Sequence, residues 1–165
     1  LSIGKNHHQD FKKLFNHTAG IAIISEDLPE PHNRVELDYD HKDSFGLPGV
    51  KVHYEMSENT KSILKHGVRM SKDIFSSAGA KVTATISPVK NTGWHLMGTV
   101  RMGNNPETSL VNKYCQAHRV KNLFIVDSSV FVTSGAVNPV ATAQAITLFA
   151  CNYIRKNISS ISNLE

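Results

Sequence analysis

The chain has 165 residues, 40% hydrophobic and 19% charged, with a net charge of +4. That length supports a sizeable core, and no segment is low in complexity, so the whole chain is expected to fold. The Lys and Arg residues are scattered rather than blocked, which argues against nucleic-acid binding, and no apolar run approaches the ~18 residues of a membrane span.

The opening "LSIGKNHHQD" does not read as a signal peptide, and it starts on Leu1 rather than a methionine, so the chain is read as a piece of a longer polypeptide. Cys115 and Cys151 lie far apart and match no metal or redox spacing. One disulfide is compatible with that count, but two free thiols in a reducing compartment fit better, which slightly favours the cytoplasm.

Residues 6–16 place Phe11, Leu14 and Phe15 at helical spacing. "TAGIAIIS", 18–25, is a short apolar run with β-branched side chains and predicts a buried strand. Two prolines and an asparagine break the chain over 26–33. "RVELDYD", 34–40, alternates through Val35, Leu37 and Tyr39, and "VKVHYEMS", 50–57, alternates through Val50, Val52 and Tyr54. With the turn "HKDSFGLPG" between them, these predict an antiparallel hairpin with one half-buried face.

Ser57 reads as a helix cap, and the three-to-four spacing of Ile63, Leu64, Val68, Ile74 and Phe75 predicts a helix over 57–78, closed by Gly79. "AKVTATIS", 80–87, predicts a further strand, giving an antiparallel sheet backed by the long helix. Residues 89–122 carry glycines and asparagines with little periodicity, and an ordered loop of that length is usually functional. "NLFIVDSS", 122–129, predicts a fully buried strand, and Val140, Ala143, Ile146, Phe149 and Tyr153 predict a closing amphipathic helix.

The candidate chemistry lies in this second half. Asn138 is suited to cap the last helix and Pro139 to occupy its first position, which suffices to start a helix without any function. A helix N-terminus also presents free N–H groups and a positive dipole end to an anion or a negatively charging ring. Asp127 ends the predicted strand, where it serves either as a turn residue or as an acceptor for a ligand at the strand's carboxyl end. His95 sits in "GWHLMGTVRMG", 93–103, where Trp94 offers a dry wall and Gly93, Gly98 and Gly103 permit close approach. A lone loop histidine is usually structural, but imidazole is also the side chain suited to a catalytic base near neutral pH. His7, His8 and Asp10 form a weak pattern read as solvated, so no metal site is expected.

The run "HLMGTVRMGNNPETSLVN", then "VKNLFIVDSSVF", then "VNPVATAQAITLFA" resembles the C-terminal part of the glucose–methanol–choline (GMC) oxidoreductases, and "LPEPHNRVELDYDHKDSFGLPGVKVHYE" is similar to a strand pair of that family's substrate domain. Within the family the chain looks closest to bacterial sugar or polyol dehydrogenases. The resemblance implies an α+β architecture. Residues 1–90 would be part of the substrate domain, an antiparallel sheet with helices. Residues 91–165 would carry the active-site loop and the strand–loop–helix segment that completes an FAD-binding α/β domain.

The same resemblance implies roles by position. His95 would take the hydroxyl proton of an alcohol or sugar while hydride leaves for FAD, and Asn138 would hydrogen-bond the substrate oxygen. Asp127 and Ser128 would lie along the FAD. Pro139 and Val140 would place a helix start at the flavin's pyrimidine end, with the Val140 amide as donor.

The GxGxxG loop that binds the ADP half of FAD in the family does not occur in this sequence. The remaining N-terminal part of the enzyme would have to supply it, and this chain alone is expected to be inactive. The missing motif is equally compatible with a non-catalytic, free-standing domain or a partner subunit, and a lyase on the same fold would keep the histidine base.

Overall fold

The computed structural model describes residues 3–82, 84–90, 92–135 and 137–162. Helix α1 spans His7–Leu14 and stacks Phe11 on Phe15 at 5.1 Å between ring centroids. Strand β1, Arg34–Lys42, pairs antiparallel with β2, Pro48–His53, and the two form the hairpin that alternation predicts. Its turn is organised by Asp43, whose Oδ1 accepts the amides of Phe45 and Leu47, both at 2.9 Å. Gly46 supplies the left-handed residue of that turn at φ +82. The hairpin's open end is clamped by Asn33, whose amide donates to the Glu55 carbonyl at 3.1 Å and accepts the Glu55 N–H at 2.7 Å.

Helix α2, Glu58–Ser77, follows the predicted span closely. Ser57 Oγ accepts the Thr60 N–H at 3.1 Å, and Thr60 Oγ1 donates to Asp27 Oδ1 at 2.6 Å. A carboxylate only accepts, so the Thr60 proton is committed there and the 3.0 Å contact between the two hydroxyls is a donation from Ser57. Tyr54 donates to the other carboxylate oxygen of Asp27 at 2.5 Å. Burial first, and that bond second, push the Tyr54 hydroxyl up to about 12. At its far end α2 closes in a Schellman motif: the Gly79 amide bonds Ser76 O, the Ala80 amide bonds Phe75 O, and Gly79 adopts φ +71.

Helix α3 spans Val140–Ser162 and kinks at Asn157, whose side-chain amide donates back to the Tyr153 carbonyl at 2.8 Å. The architecture is α+β, with a two-stranded sheet. The buried core lies in the second half of the chain, where Val111, Cys115, Val130 and Ala150 gather with Val100, Met102, Ile125, Val126, Phe131 and Ile146 packed against them.

Three predicted strands do not form. Residues 18–25 run as mostly exposed coil, with Ile23 seated on Gly67 of α2, where a Cβ would meet its Cγ2 at 2.8 Å. Residues 80–87 join no sheet among the described residues; Thr83 lies outside them. Residues 122–129 are half-buried at Phe124, Ile125 and Val126, and only Phe124 makes a bridge, to Gln116. Apolar, β-branched runs favour extended backbone, but a strand also needs a neighbour along its length: 122–129 has one only around Phe124, and the described residues of the other two runs pair with none. Among the described residues the sheet therefore stays at two strands, and α2 does not form a second layer on it.

The described residues of the predicted loop 89–122 form no helix and no strand beyond isolated bridges. Asn112 Oδ1 accepts the amides of Tyr114 and Gln116 at 2.8 and 3.3 Å, and Asn105 Oδ1 accepts the Glu107 amide at 2.9 Å. These side chains substitute for secondary structure by bonding the backbone two and four residues on.

Candidate active site

The site begins at Gly98, which turns the histidine loop at φ +84. A Cβ there would stand 3.3 Å from the Phe131 carbonyl oxygen, so a side chain would be both strained and crowded. Beyond that turn the chain runs alongside residues 128–130. The amides of Gly98, Val100 and Met102 donate to the carbonyls of Ser128, Ser129 and Val130 at 3.4, 2.9 and 2.9 Å.

The other flank of the loop is tied as well. Leu110 donates to the Arg101 carbonyl at 3.2 Å, Arg101 Nε donates to the Thr108 carbonyl at 3.0 Å, and the Gly103 amide donates to the Val111 carbonyl at 2.9 Å. Gly103 faces Ser109, whose Cβ lies 2.9 Å from where a Cβ on Gly103 would stand. Ser109 Oγ donates to the Asn105 carbonyl at 2.6 Å. Its only proton is spent there, so His118 Nε2, 3.0 Å away, carries a hydrogen and donates to Ser109.

His95 is half-buried and lines a cleft of about 910 Å³. Val137, the neighbour of Asn138, lines the same cleft, as do Asp27 and Tyr54 from the hairpin side. Asn138 is exposed and lies outside that lining, as do Asp127, Ser128, Pro139 and Val140. Trp94 is 77% exposed and is not part of the cleft wall, so it gives His95 no dry side here.

Asp127 is exposed and caps the 3-10 turn Ser128–Val130, its Oδ1 accepting the Ser129 amide at 2.8 Å. The Ser129 hydroxyl and amide hold the Asp127 carboxyl below the usual aspartate range. Ser128 is half-buried, and its carbonyl receives the Gly98 amide.

The entry to α3 differs by one residue from the sequence expectation. Pro139 is buried and stands just before the helix, its carbonyl accepting the Ala143 amide at 2.9 Å. The expected Asn138 side-chain cap does not form, because the cap position has moved on to Pro139. Val140 is exposed and opens the helix.

Both cysteines are free thiols, Cys115 buried and Cys151 exposed, and burial pushes the Cys115 thiol up. Among the described residues no three His, Cys, Asp or Glu side chains are grouped to hold a metal ion, and no helix is long and apolar enough to cross a membrane.

Sequence reasoning missed the Asp27–Tyr54–Thr60 node, the His118–Ser109 pair, and a bond from Thr133 Oγ1 to Glu26 Oε1 at 3.0 Å. The node and the Thr133 bond join residues too far apart in sequence to leave a periodic signal. Only the first Asx turns could have been read, from Asn105 and Asn112.

Residues 29–147 match the family described as GMC oxidoreductase, and the chain belongs to that family as its C-terminal segment. It is 42% identical to 2-methyl-1,2-propanediol dehydrogenase of Mycolicibacterium austroafricanum, over 96% of this chain and 29% of that protein. It is 28% identical to the fructose dehydrogenase large subunit of Gluconobacter japonicus, over 94% of this chain and 28% of that protein. Among solved structures it resembles pyridoxine 4-oxidase from Mesorbium loti, with a TM-score of 0.52 and 21% identity, over 66% of this chain and 25% of the other. The chain thus spans less than a third of the length of these relatives. The two relatives in sequence are named as dehydrogenases of a diol and of a sugar.

Proposed function

We propose that this chain is the catalytic C-terminal end of an FAD-dependent oxidoreductase that acts on a CH–OH group of an alcohol or sugar, with His95 as the base. The observation that carries this reading is the lacing of the histidine loop to the Asp127 turn by three backbone bonds, with His95 on the wall of a large cleft. Residues 1–90 then contribute to the substrate domain and residues 91–165 to the FAD domain. The ADP-binding part of the cofactor site comes from the rest of the enzyme, so the chain alone is catalytically silent.

The residues present fit a flavin. Helix α3 is 23 residues long, and its first-turn amides have no acceptor within the helix, which suits an electron-rich ring edge. Asp127 is exposed, and its carboxylate has acceptor capacity beyond the bonds it takes from Ser129, which suits a cofactor hydroxyl. FAD, when bound, supplies the hydride acceptor.

The protein's own part is positional and acid–base. The His95 imidazole takes the hydroxyl proton as the C–H bond breaks, and the chain just beyond it, from Gly98 to Gly103, is tied on both sides by hydrogen bonds to the backbone. The Asn138 amide donates a hydrogen bond to the substrate oxygen, and the Val140 amide with the α3 dipole stabilises negative charge at the ring edge. Asp127 and Ser128 would lie along the cofactor, and the buried Pro139 stands where α3 begins.

In the full-length enzyme, His95→Ala is expected to lower alcohol turnover by about two orders of magnitude while leaving flavin content unchanged. Flavin absorbance and steady-state kinetics on the purified variant measure both. Near-normal turnover with flavin bound would remove His95 from the mechanism.

A further inference from the structure

The approach to α3 has little backbone support of its own. Phe131 donates to the Ser128 carbonyl at 3.2 Å, but residues 132–135 make no backbone hydrogen bond among the described residues. Their one polar tie among the described residues is the donation from Thr133 Oγ1 to Glu26 Oε1 at 3.0 Å, which spans 107 residues of sequence. Apart from the local bond from Thr92 Oγ1 to the Val89 carbonyl, no other hydrogen bond among the described residues joins the first 90 residues to the later ones.

Each end of this bond stands beside the cleft. Ser25 and Asp27, which flank Glu26, line it, and so do Thr133 and Ser134. Glu26 extends from a fixed stem, because Asp27 beside it is held by both Tyr54 and Thr60, and Thr60 is buried. The bond therefore runs from a rigid anchor to an otherwise unsupported segment, and a hydroxyl donated to a carboxylate is among the stronger neutral-donor bonds.

We propose that Glu26 is a positioning residue. Acting through Thr133, it fixes residues 132–135 at the cleft rim and so sets where Asn138 and the start of α3 stand relative to His95. The proposal rests on the functional reading above for what Asn138 does, but the tie itself does not depend on it.

The test uses the full-length protein and four substitutions. Thr133→Val keeps the shape and removes the donor, Glu26→Ala removes the acceptor, and Thr133→Ser and Glu26→Gln each keep a working partner. Amide hydrogen exchange at Ala143, whose N–H bonds the Pro139 carbonyl at the start of α3, is expected to rise about tenfold in Thr133→Val and in Glu26→Ala, and to stay within about twofold of wild type in the two conservative variants. The Glu26→Ala/Thr133→Val double variant is expected to exchange no faster than either single one. Turnover follows the same order, with kcat falling about three- to tenfold in the disrupting pair, KM changing less, and the conservative pair restoring kcat.

Unchanged exchange in Thr133→Val would overturn the proposal. So would faster exchange with wild-type kcat, since the tie would then hold a loop without positioning the site. Absence of any alcohol turnover in the wild-type protein would instead count against the functional reading, and the exchange readings would still decide the tie by themselves.

Discussion

Residues 98–131 and residues 34–53 are both built from short extended segments, and they end in opposite states. The first region has isolated bridges in place of a sheet, yet Val111 and Val130 are completely buried. The second has a proper antiparallel ladder, with Val35 opposite Val52 and Leu37 opposite Val50, yet Leu37 remains 56% and Val50 70% exposed. Regular backbone pairing satisfies the peptide groups, but it puts apolar side chains on a face and does nothing to cover it. Coverage needs a second layer. In the 98–131 region α3 supplies one through Ile146 and Ala150. The hairpin face formed by Val35, Leu37, Tyr39, Val50 and Val52 has no such layer, and the chain spans only 29% of its diol dehydrogenase relative.

Three substitutions sharpen this contrast, each read by urea unfolding. Val111→Ala empties a fully buried site and is expected to cost roughly 2–3 kcal/mol. A cost below about 0.5 kcal/mol would mean that the 98–131 region does not hold the core.

Asp127→Ala should cost about 1 kcal/mol through the lost cap at the Ser129 amide, with Asp127→Asn closer to wild type because it keeps an acceptor. The Asp127 carboxyl is held below its usual range, so it binds its proton less readily folded than unfolded. Its contribution is therefore present above the ordinary aspartate pKa and is lost as pH falls through the lower folded value. Comparing the acid limb of the stability curve in wild type and Asp127→Asn measures it, and identical limbs would show that the cap carries no pH dependence.

Val50→Thr should have the smallest effect, within about 0.5 kcal/mol in the 165-residue chain, because the side chain already faces solvent. In the full-length protein the same change is expected to cost about 1–2 kcal/mol, as a hydroxyl is placed on a covered face. Equal costs in the two would mean that the hairpin face stays open.

Local signals proved legible where the neighbours that decide the structure lie close in sequence. The hairpin was readable from its alternation and the Asp43-to-Gly46 turn, and α2 from the Ser57 cap and the Gly79 stop. His95 was legible as a residue of interest because glycines bracket it, and Gly98 does make the turn that delivers it. Trp94 misled, since an aromatic beside a candidate base signals a dry wall only if something packs on it, and here it points to solvent. Asn138 misled by one position, because a cap needs the helix to start beside it and Pro139 takes that place.

The sequence by itself determined which segments turn, which are helical, which face of the hairpin is apolar, and to which family the motifs belong. These follow from capping, periodicity and residue type within a few positions of one another. Only the tertiary structure decided that the described residues of the 18–25, 80–87 and 122–129 runs join no sheet, that the core sits under α3, and that Glu26 reaches Thr133. Strand pairing, burial and bonds across 107 residues depend on what lies alongside, and an apolar run carries no record of its neighbour.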